Sequence, residues 1–209
     1  MQKVKVVLWR HAPTAENFSG TLQGRSDTDT NEHGLELGRQ AARTLLNLYG
    51  KPAAVFTSPL KRASATAALL AEQDASIPVR IEQGITQRSY GVWEGMNLSD
   101  VARLYPDELK VRDAGGDPNI PGWERGIDVG RRVAATIRQH TEITYGSATD
   151  VTPVLVFVSH GSAIATGVRT LLNLPESPQL LGHLQHTNWV ELDYSKQAWK
   201  LTRYNYGLH

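Results

Sequence analysis

Residues 154–161 read VLVFVSHG, five apolar residues followed by a serine, a histidine and a glycine. Residues 4–11 read VKVVLWRH, a β-branched run that ends at an arginine and a histidine. Continuous apolar runs of this length are typical of strands that are buried on both faces of a parallel sheet. The two segments therefore predict central strands that end directly before polar, reactive side chains.

Working outward from these two strands, helical and strand patterns alternate along the chain. The helical patterns cover 34–49, 59–71, the stretch around 129–137 and the residues after 161, and the strand patterns cover 53–56, 187–194 and 198–204. Ser58 is expected to cap the second helix, with Pro59 as its first residue. The alternation predicts an α/β three-layer sandwich, with a largely parallel central sheet flanked by helices.

The 209 residues fit a single domain that spans 1–209. Segment 95–122 interrupts the alternation, because it is rich in Gly, Pro and Asp and carries one weak helix pattern, around Ser99 to Tyr105. Such excursions often cover or border a binding site. We expect this segment to be a lid or a substrate-facing excursion.

Composition excludes several classes of function. The formal net charge is +1, so no broad basic surface indicates binding to nucleic acid or to an anionic membrane. No apolar run approaches the length of a membrane span, and we expect a cytoplasmic protein. The chain has no cysteine, which excludes disulfides, thiolate nucleophiles and cysteine-based zinc sites.

Three polar clusters each follow a predicted strand: Arg10-His11, Ser58 through Arg62, and His160-Gly161. In open α/β sheets, ligands bind outside the carboxyl ends of the strands. The sequence therefore brings two imidazoles and two guanidiniums to one edge of the sheet. Guanidinium planes bind phosphate oxygens in pairs, and helix N-termini add amide donors. A phosphate site is predicted at this edge.

The same clusters, in the same order, carry a resemblance that covers nearly the whole chain. The motifs are LWRHAPT at 8–14, LQGR at 22–25, EHG at 32–34, SPLKRA at 58–63, YGVWEG at 90–95 and VSHG at 158–161. They resemble the phosphoglycerate-mutase-like branch of the histidine phosphatase superfamily.

The resemblance implies a division of roles. His11 would attack phosphorus and carry the phosphoryl group, while Arg10, Arg62 and His160 would hold its oxygens. The residues implied to line the phosphate and the substrate are Asn17, Gln23, Gly24, Tyr90, Gly161 and Ser162. Neither a metal nor a cofactor is implied, and the partner would be a small phosphate ester. A homodimer is left open.

One departure from the family pattern affects the chemistry. The family's general acid is a glutamate before Tyr-Gly, and this chain has Gln87 in its place. Glu82 and Glu94 are nearby carboxylates without the family spacing. The favoured activity is a metal-independent phosphatase acting on sugar or glycerate phosphates. The alternatives are a cofactor-dependent phosphoglycerate mutase and a catalytically reduced protein that binds phosphate ligands.

A second histidine motif, His183-x-x-His186, could suggest a metal pair. It has no HExxH frame and no carboxylate at helical spacing. A structural role is therefore the favoured interpretation.

Overall fold

The computed structural model describes residues 2–147, 151–175 and 180–207. The strands are β1 (Val4–Arg10), β2 (Ala54–Thr57), β3 (Val79–Ile81), β4 (Val154–Ser159), β5 (Trp189–Ser195) and β6 (Ala198–Tyr206). The helices are α1 (Ala15–Phe18), α2 (Glu32–Tyr49), α3 (Lys61–Gln73), α4 (Leu98–Leu104), α5 (Pro106–Asp113), α6 (Gly126–Gly146) and α7 (Gly161–Leu171), with 3-10 turns at Gln83–Ile85 and Gly91–Trp93. In these ranges no helix combines the length and the apolar character needed to cross a bilayer.

The six strands form one sheet in the order β3-β2-β4-β1-β5-β6. Strands β1 to β4 pair in parallel, whereas β5 runs antiparallel to β1 and β6 antiparallel to β5. The predicted α/β sandwich with a mostly parallel sheet is confirmed. Strand β3 was not predicted, because its three residues are all exposed and lack the alternation of a half-buried strand.

Side chains of β1 alternate between two hydrophobic layers. Val6 and Leu8 pack on one face with residues of α6 and α7, and Val7 and Trp9 pack on the other face with residues of α2 and α3. This alternation follows from the two-residue period of a strand. Burial on both faces holds β1 rigidly, so the residues at its end have a fixed position.

Two local predictions need correction. Helix α3 begins at Lys61 with Leu60 at its N-cap, so Ser58 is not the cap and Pro59 is not the first helical residue. Ser58 is instead buried at the end of β2, where its hydroxyl lies 2.8 Å from His160 Nε2. The hydroxyl that the local pattern assigned to the helix N-cap therefore contacts a histidine that is far away in the chain.

The excursion at 95–122 is more ordered than its composition indicates. It contains α4, which matches the weak pattern, and also α5, which was missed. Val101 and Ile120 of this segment are buried together with Trp93, which precedes it, in a small separate hydrophobic cluster. This segment is therefore packed against the residues that flank it.

Candidate active site

Three chain segments meet at the carboxyl edge of the sheet. Arg10 lies opposite Ser159 in the parallel register of β1 and β4, and the amide of His11 donates to Ser159 O over 2.9 Å. The amide of Ser58 donates to Val158 O over 3.0 Å. The backbone thus joins the three predicted clusters before any side chain is considered.

His11 is buried, and its ring orientation is fixed by the backbone. Its Nδ1 lies 2.8 Å from Ala12 O, and a carbonyl can only accept, so Nδ1 carries the proton. Nε2 is left with a free lone pair. Burial lowers the pKa of His11 well below its usual value, and nearby His160 and His186 lower it further. His11 is therefore a neutral imidazole whose Nε2 carries a lone pair.

Arg62 stands in the first turn of α3 and is 1% exposed. Its Nη1 donates to Ser26 O and its Nη2 to Gly24 O, each over 2.7 Å. Burial lowers its pKa to about 10, which keeps the guanidinium charged at neutral pH. The two carbonyls fix its orientation without cancelling its charge.

His160 is the N-cap of α7, and its ring centroid lies 5.0 Å from that of His11. In the part of the chain that the structure describes, its buried Nδ1 has no hydrogen-bond partner, and neither have Arg10 Nε and Arg62 Nε. Leaving buried polar groups unpaired is costly, so such groups in a native fold need an explanation. An anion placed between Arg10, Arg62 and His160 would give a hydrogen-bond partner to each of these three nitrogens.

Arg10 is held by residues that were not assigned to this site. Its Nη1 lies 3.0 Å from His183 Nε2 and also donates to Leu184 O, while its Nη2 lies 2.6 Å from His186 Nε2. The sheet register could have indicated this contact. Since β5 runs antiparallel to β1 and pairs Trp189 with Trp9, the residues before Trp189 must lie beside Arg10.

Sequence comparison agrees with this arrangement. The profile of the histidine phosphatase superfamily (branch 1) matches residues 6–207. The chain belongs to this superfamily. Glucosyl-3-phosphoglycerate phosphatase of Mycolicibacterium vanbaalenii is 30% identical over 200 residues, which cover 92% of this chain and 85% of that relative.

Two further comparisons bear on the activity. A 2,3-bisphosphoglycerate-dependent phosphoglycerate mutase of Methylobacterium radiotolerans is 35% identical over 127 residues, covering 59% of this chain and 55% of the mutase. The solved structure of mycobacterial glucosyl-3-phosphoglycerate phosphatase superposes with a TM-score of 0.86 at 26% identity, covering 97% of this chain and 99% of that one. The phosphatases match over nearly their whole length, whereas the mutase matches over about half.

In this histidine phosphatase, the side-chain carbonyl of Gln87 is already engaged. Its Oε1 accepts from Ser162 Oγ over 2.8 Å and from the amide of Arg88 over 3.0 Å. Because a backbone amide can only donate, the contact with Arg88 identifies the oxygen of the Gln87 amide. The NH₂ of Gln87 is the group left to donate elsewhere.

The two carboxylates considered as substitute acids are occupied. Glu82 Oε1 lies 2.8 Å from His140 Nε2 on α6. Glu94 Oε1 accepts from the amides of Arg25 and Tyr90 over 3.0 and 2.9 Å, and from Ser89 Oγ over 3.2 Å. Glu94 therefore serves to hold the loops around it.

A third carboxylate, Glu16, was missed. Its Oε2 is buried without a hydrogen-bond partner among the described residues. Its charge also helps to raise the pKa of Arg62, although burial outweighs it. The sequence could have indicated Glu16 as a candidate through its position in the segment that follows His11.

The remaining predicted residues divide into two groups. Asn17 and Gln23 stabilise the loops around them. Asn17 Oδ1 accepts from the amide of Thr14 over 2.9 Å. Gln23 Nε2 donates to the hydroxyl of Thr14, and Gln23 Oε1 accepts from the hydroxyl of Thr28. The NH₂ of Asn17 has no partner in the described structure and can still donate to a phosphate.

Gly24, Gly161 and Tyr90 border the arginines. Gly24 offers its carbonyl to Arg62, and a Cβ on Gly161 would lie 3.3 Å from the Arg10 guanidinium. The ring of Tyr90 stacks on Trp123 with centroids 5.4 Å apart. The absence of a side chain at Gly161 therefore leaves room for Arg10.

Proposed function

We propose that this protein is a phosphatase that hydrolyses small phosphomonoesters through a phosphohistidine on His11. The observation that carries the proposal is the set of unpaired buried nitrogens of Arg10, Arg62 and His160 around the free Nε2 of His11. These groups are preorganised for the equatorial oxygens of a phosphoryl group, where they stabilise the charge of the transition state.

The reaction divides into two in-line displacements. His11 Nε2 forms a bond to phosphorus while the bond from phosphorus to the ester oxygen breaks. An alkyl leaving group takes up a proton from water and departs as the alcohol, whereas an aryl leaving group departs as the anion. Water then attacks the phosphohistidine, which returns His11 and releases inorganic phosphate. Arg10, Arg62 and His160 remain on the phosphoryl oxygens throughout both steps.

Two alternatives remain candidates for specific reasons. The similarity to a mutase favours a reaction in which the phosphohistidine returns its phosphoryl group to a product, although the match covers 55% of that mutase. Gln87 favours a protein that binds phosphate ligands without hydrolysing them, because a glutamine cannot supply the proton that an alkyl leaving group needs. Turnover of p-nitrophenyl phosphate excludes the binder. Interconversion of 3- and 2-phosphoglycerate in the presence of 2,3-bisphosphoglycerate would identify the mutase.

The substrate class follows from a cavity of about 590 Å³ beside the phosphate pocket. Ser162 and His183 line its near side, and Arg88, Arg112 and Arg169 line it together with one carboxylate, that of Asp117. Arg88 Nε and Arg112 Nη1 are buried and have no hydrogen-bond partner within residues 2–147, 151–175 and 180–207. An excess of guanidinium groups supports a second anionic group on the substrate, such as the carboxylate of a phosphoglycerate.

The first experiment traps the intermediate. A radiolabelled ester is mixed with the protein, quenched in alkali and digested for peptide mapping. We expect acid-labile label on the peptide that carries His11, and none in His11→Ala. Label on His160, or full turnover by His11→Ala, would refute the assignment.

The second experiment tests the cavity with two esters of similar size, 3-phosphoglycerate and glycerol 3-phosphate, of which the first has a carboxylate. Arg169→Met should lower kcat/KM for 3-phosphoglycerate by roughly 10–100-fold, as expected for the loss of a charge-assisted contact. It should leave glycerol 3-phosphate nearly unchanged. Equal losses on both esters would place Arg169 outside the carboxylate site.

A cytoplasmic location and a homodimer both stay predictions. Cell fractionation tests the first, and light scattering coupled to gel filtration tests the second. The absence of nucleic-acid binding also stays a prediction, which a gel-shift titration at low salt would test.

A further inference from the structure

The His183-x-x-His186 motif lies at the active site but is not explained by the proposed chemistry. Both imidazoles approach the guanidinium of Arg10 through Nε2, at 3.0 Å for His183 and 2.6 Å for His186. Arginine has donors only, so each Nε2 must accept the hydrogen bond. Both rings therefore present a lone pair to Arg10.

We propose that His183 and His186 form an imidazole clamp that positions Arg10 for the phosphoryl group. The clamp engages Nη1 and Nη2, and Leu184 O also accepts from Nη1. Nε is buried and has no hydrogen-bond partner among the described residues. These contacts use both N–H groups of Nη1 and one of Nη2, so they fix the plane of the guanidinium and leave the Nε–H and the second Nη2–H to a ligand.

The choice of imidazole over carboxylate has a physical reason. A carboxylate would hold the guanidinium equally well, but its negative charge would oppose the approach of a phosphate. A neutral ring orients Arg10 and leaves its full charge for the ligand. Burial lowers the pKa of His186 to about 3 and also lowers that of His183, and the charge of Arg10 acts in the same direction in both.

His186 also connects Arg10 with the nucleophile. Its Nδ1 donates to His11 O over 3.1 Å, which is the tautomer that leaves Nε2 free to accept. The ring centroids of His186 and His11 lie 5.0 Å apart. Displacement of His186 would therefore shift Arg10 relative to His11, and misplacement by about 1 Å can cost on the order of 100-fold in rate.

The metal-pair interpretation of these histidines does not fit the contacts. Their lone pairs are directed at a cation, and in the ranges that the structure describes no three His, Cys, Asp or Glu side chains are grouped to hold a metal. A clamp uses both rings in the orientation that they have.

The test is a double-mutant cycle read out by vanadate affinity, which calorimetry measures independently of turnover. The variants are His183→Phe, His186→Phe, Arg10→Ala and the combinations of each Phe variant with Arg10→Ala. His183→Gln and His186→Gln are the conservative partners, because a glutamine oxygen can reach the position of Nε2 and accept. His33→Phe, on an exposed histidine of α2, is the matched control.

Each Phe variant should weaken vanadate binding by about 10–100-fold and lower kcat more than it raises KM. The Gln variants should stay within about threefold of the parent, and His33→Phe should not differ from it. In the Arg10→Ala background His183→Phe should have no further effect, because His183 acts through Arg10. His186→Phe should keep only the smaller effect of losing its hydrogen bond to His11 O. Full additivity with Arg10→Ala, or unchanged affinity in both Phe variants, would overturn the proposal.

The clamp rests on the proposed phosphate site, but the two can fail separately. If no ester is turned over and the vanadate cycle is still non-additive, the clamp stands and the phosphatase activity fails. If esters are turned over and the cycle is additive, the reverse holds. Should His186→Phe fail to fold, His183, which is more exposed than His186, still provides a complete cycle.

Discussion

If Gln87 occupies the position of the general acid, as proposed, it determines how the leaving group is stabilised, and this leads to a prediction about leaving-group dependence. An alkyl alcohol needs a proton as its bond to phosphorus breaks, whereas p-nitrophenolate leaves as a stable anion. General acid catalysis is worth about 10²–10⁴ in rate. We therefore expect Gln87→Glu to raise kcat strongly for 3-phosphoglycerate and only slightly for p-nitrophenyl phosphate. Steady-state kinetics on both esters measures the ratio, in which errors in enzyme concentration cancel.

Glu16 provides the control for that experiment. Its buried, unpaired carboxylate oxygen makes it the candidate for an acid that already acts in the parent. If it does, Glu16→Gln will slow the alkyl ester selectively, and Gln87→Glu will bring little gain. If Gln87→Glu accelerates both esters equally, leaving-group protonation is not what the residue controls.

The contacts of a few residues also lead to a prediction about whether the activity requires a metal ion. The histidines that could bind zinc, His183 and His186, direct their acceptor nitrogens at Arg10. Activity should therefore survive dialysis against excess EDTA, with no gain when zinc or magnesium is added back, as measured with p-nitrophenyl phosphate. A loss on chelation that either metal reverses would contradict the metal-free mechanism.

The sequence predicted the central strands and the residues at their ends better than it predicted how those residues are held. Arg10, His11 and His160 follow continuous apolar runs, and such runs fix both the strand and the edge at which it ends. The roles of Ser58 and His186 depend on contacts between segments far apart in the chain. Local patterns assigned Ser58 to a helix cap, because the contact with His160 has no signature in the neighbouring residues.

At the scale of elements, the excursion at 95–122 is attached through a close backbone contact at Gly91. This residue has φ +55°, and a Cβ there would lie 2.0 Å from Pro121 O. Gly91→Ala should therefore combine left-handed strain of about 1–2 kcal/mol with a clash of roughly 1–3 kcal/mol. We expect faster amide exchange across 90–123 with little change in β1 and β4, measured by hydrogen exchange and mass spectrometry.

Gly95→Ala is the matched control for this contact. Gly95 also has a positive φ, +86°, but a Cβ at this position would have no atom of the described residues within 4 Å. It should therefore show the backbone strain alone. If the two variants lose equal stability, the contact with Pro121 is not what attaches the excursion. Activity on 3-phosphoglycerate should fall more than activity on p-nitrophenyl phosphate in Gly91→Ala, since Arg112 belongs to the excursion.

At the scale of the whole molecule, the buried histidines of the site make the free energy of unfolding depend on pH. His11, His160 and His186 are buried among arginines, and burial is the leading cause that lowers the pKa of each. Below the unfolded value of about 6.5, the unfolded chain binds protons on these residues that the folded protein does not. Stability must therefore fall as the pH drops below about 6.5, because the unfolded state binds more protons.

Each such histidine contributes up to about 1.4 kcal/mol per pH unit, so three contribute a slope of up to about 4 kcal/mol per pH unit. Glu191 is the carboxylate with the pKa lowered to about 2, and its contribution is lost only between about 4.5 and 2. The histidines therefore dominate between pH 6.5 and 5. Urea unfolding at pH 7.5, 6.5, 5.8 and 5.0 should show stability that is flat at first and then falls steeply.

His186→Gln tests the origin of this slope, because it removes one titrating group and keeps a hydrogen-bond acceptor for Arg10. The slope between pH 6.5 and 5 should decrease by up to about 1.4 kcal/mol per pH unit. Saturating phosphate should also flatten the parent's curve, since a bound anion makes protonation of His11 and His160 less costly in the folded state. A parent curve that stays flat down to pH 5 in the absence of phosphate would mean that these imidazoles take up protons over the same pH range in the folded and the unfolded protein. Burial would then not lower their pKa values in the way that the slope requires.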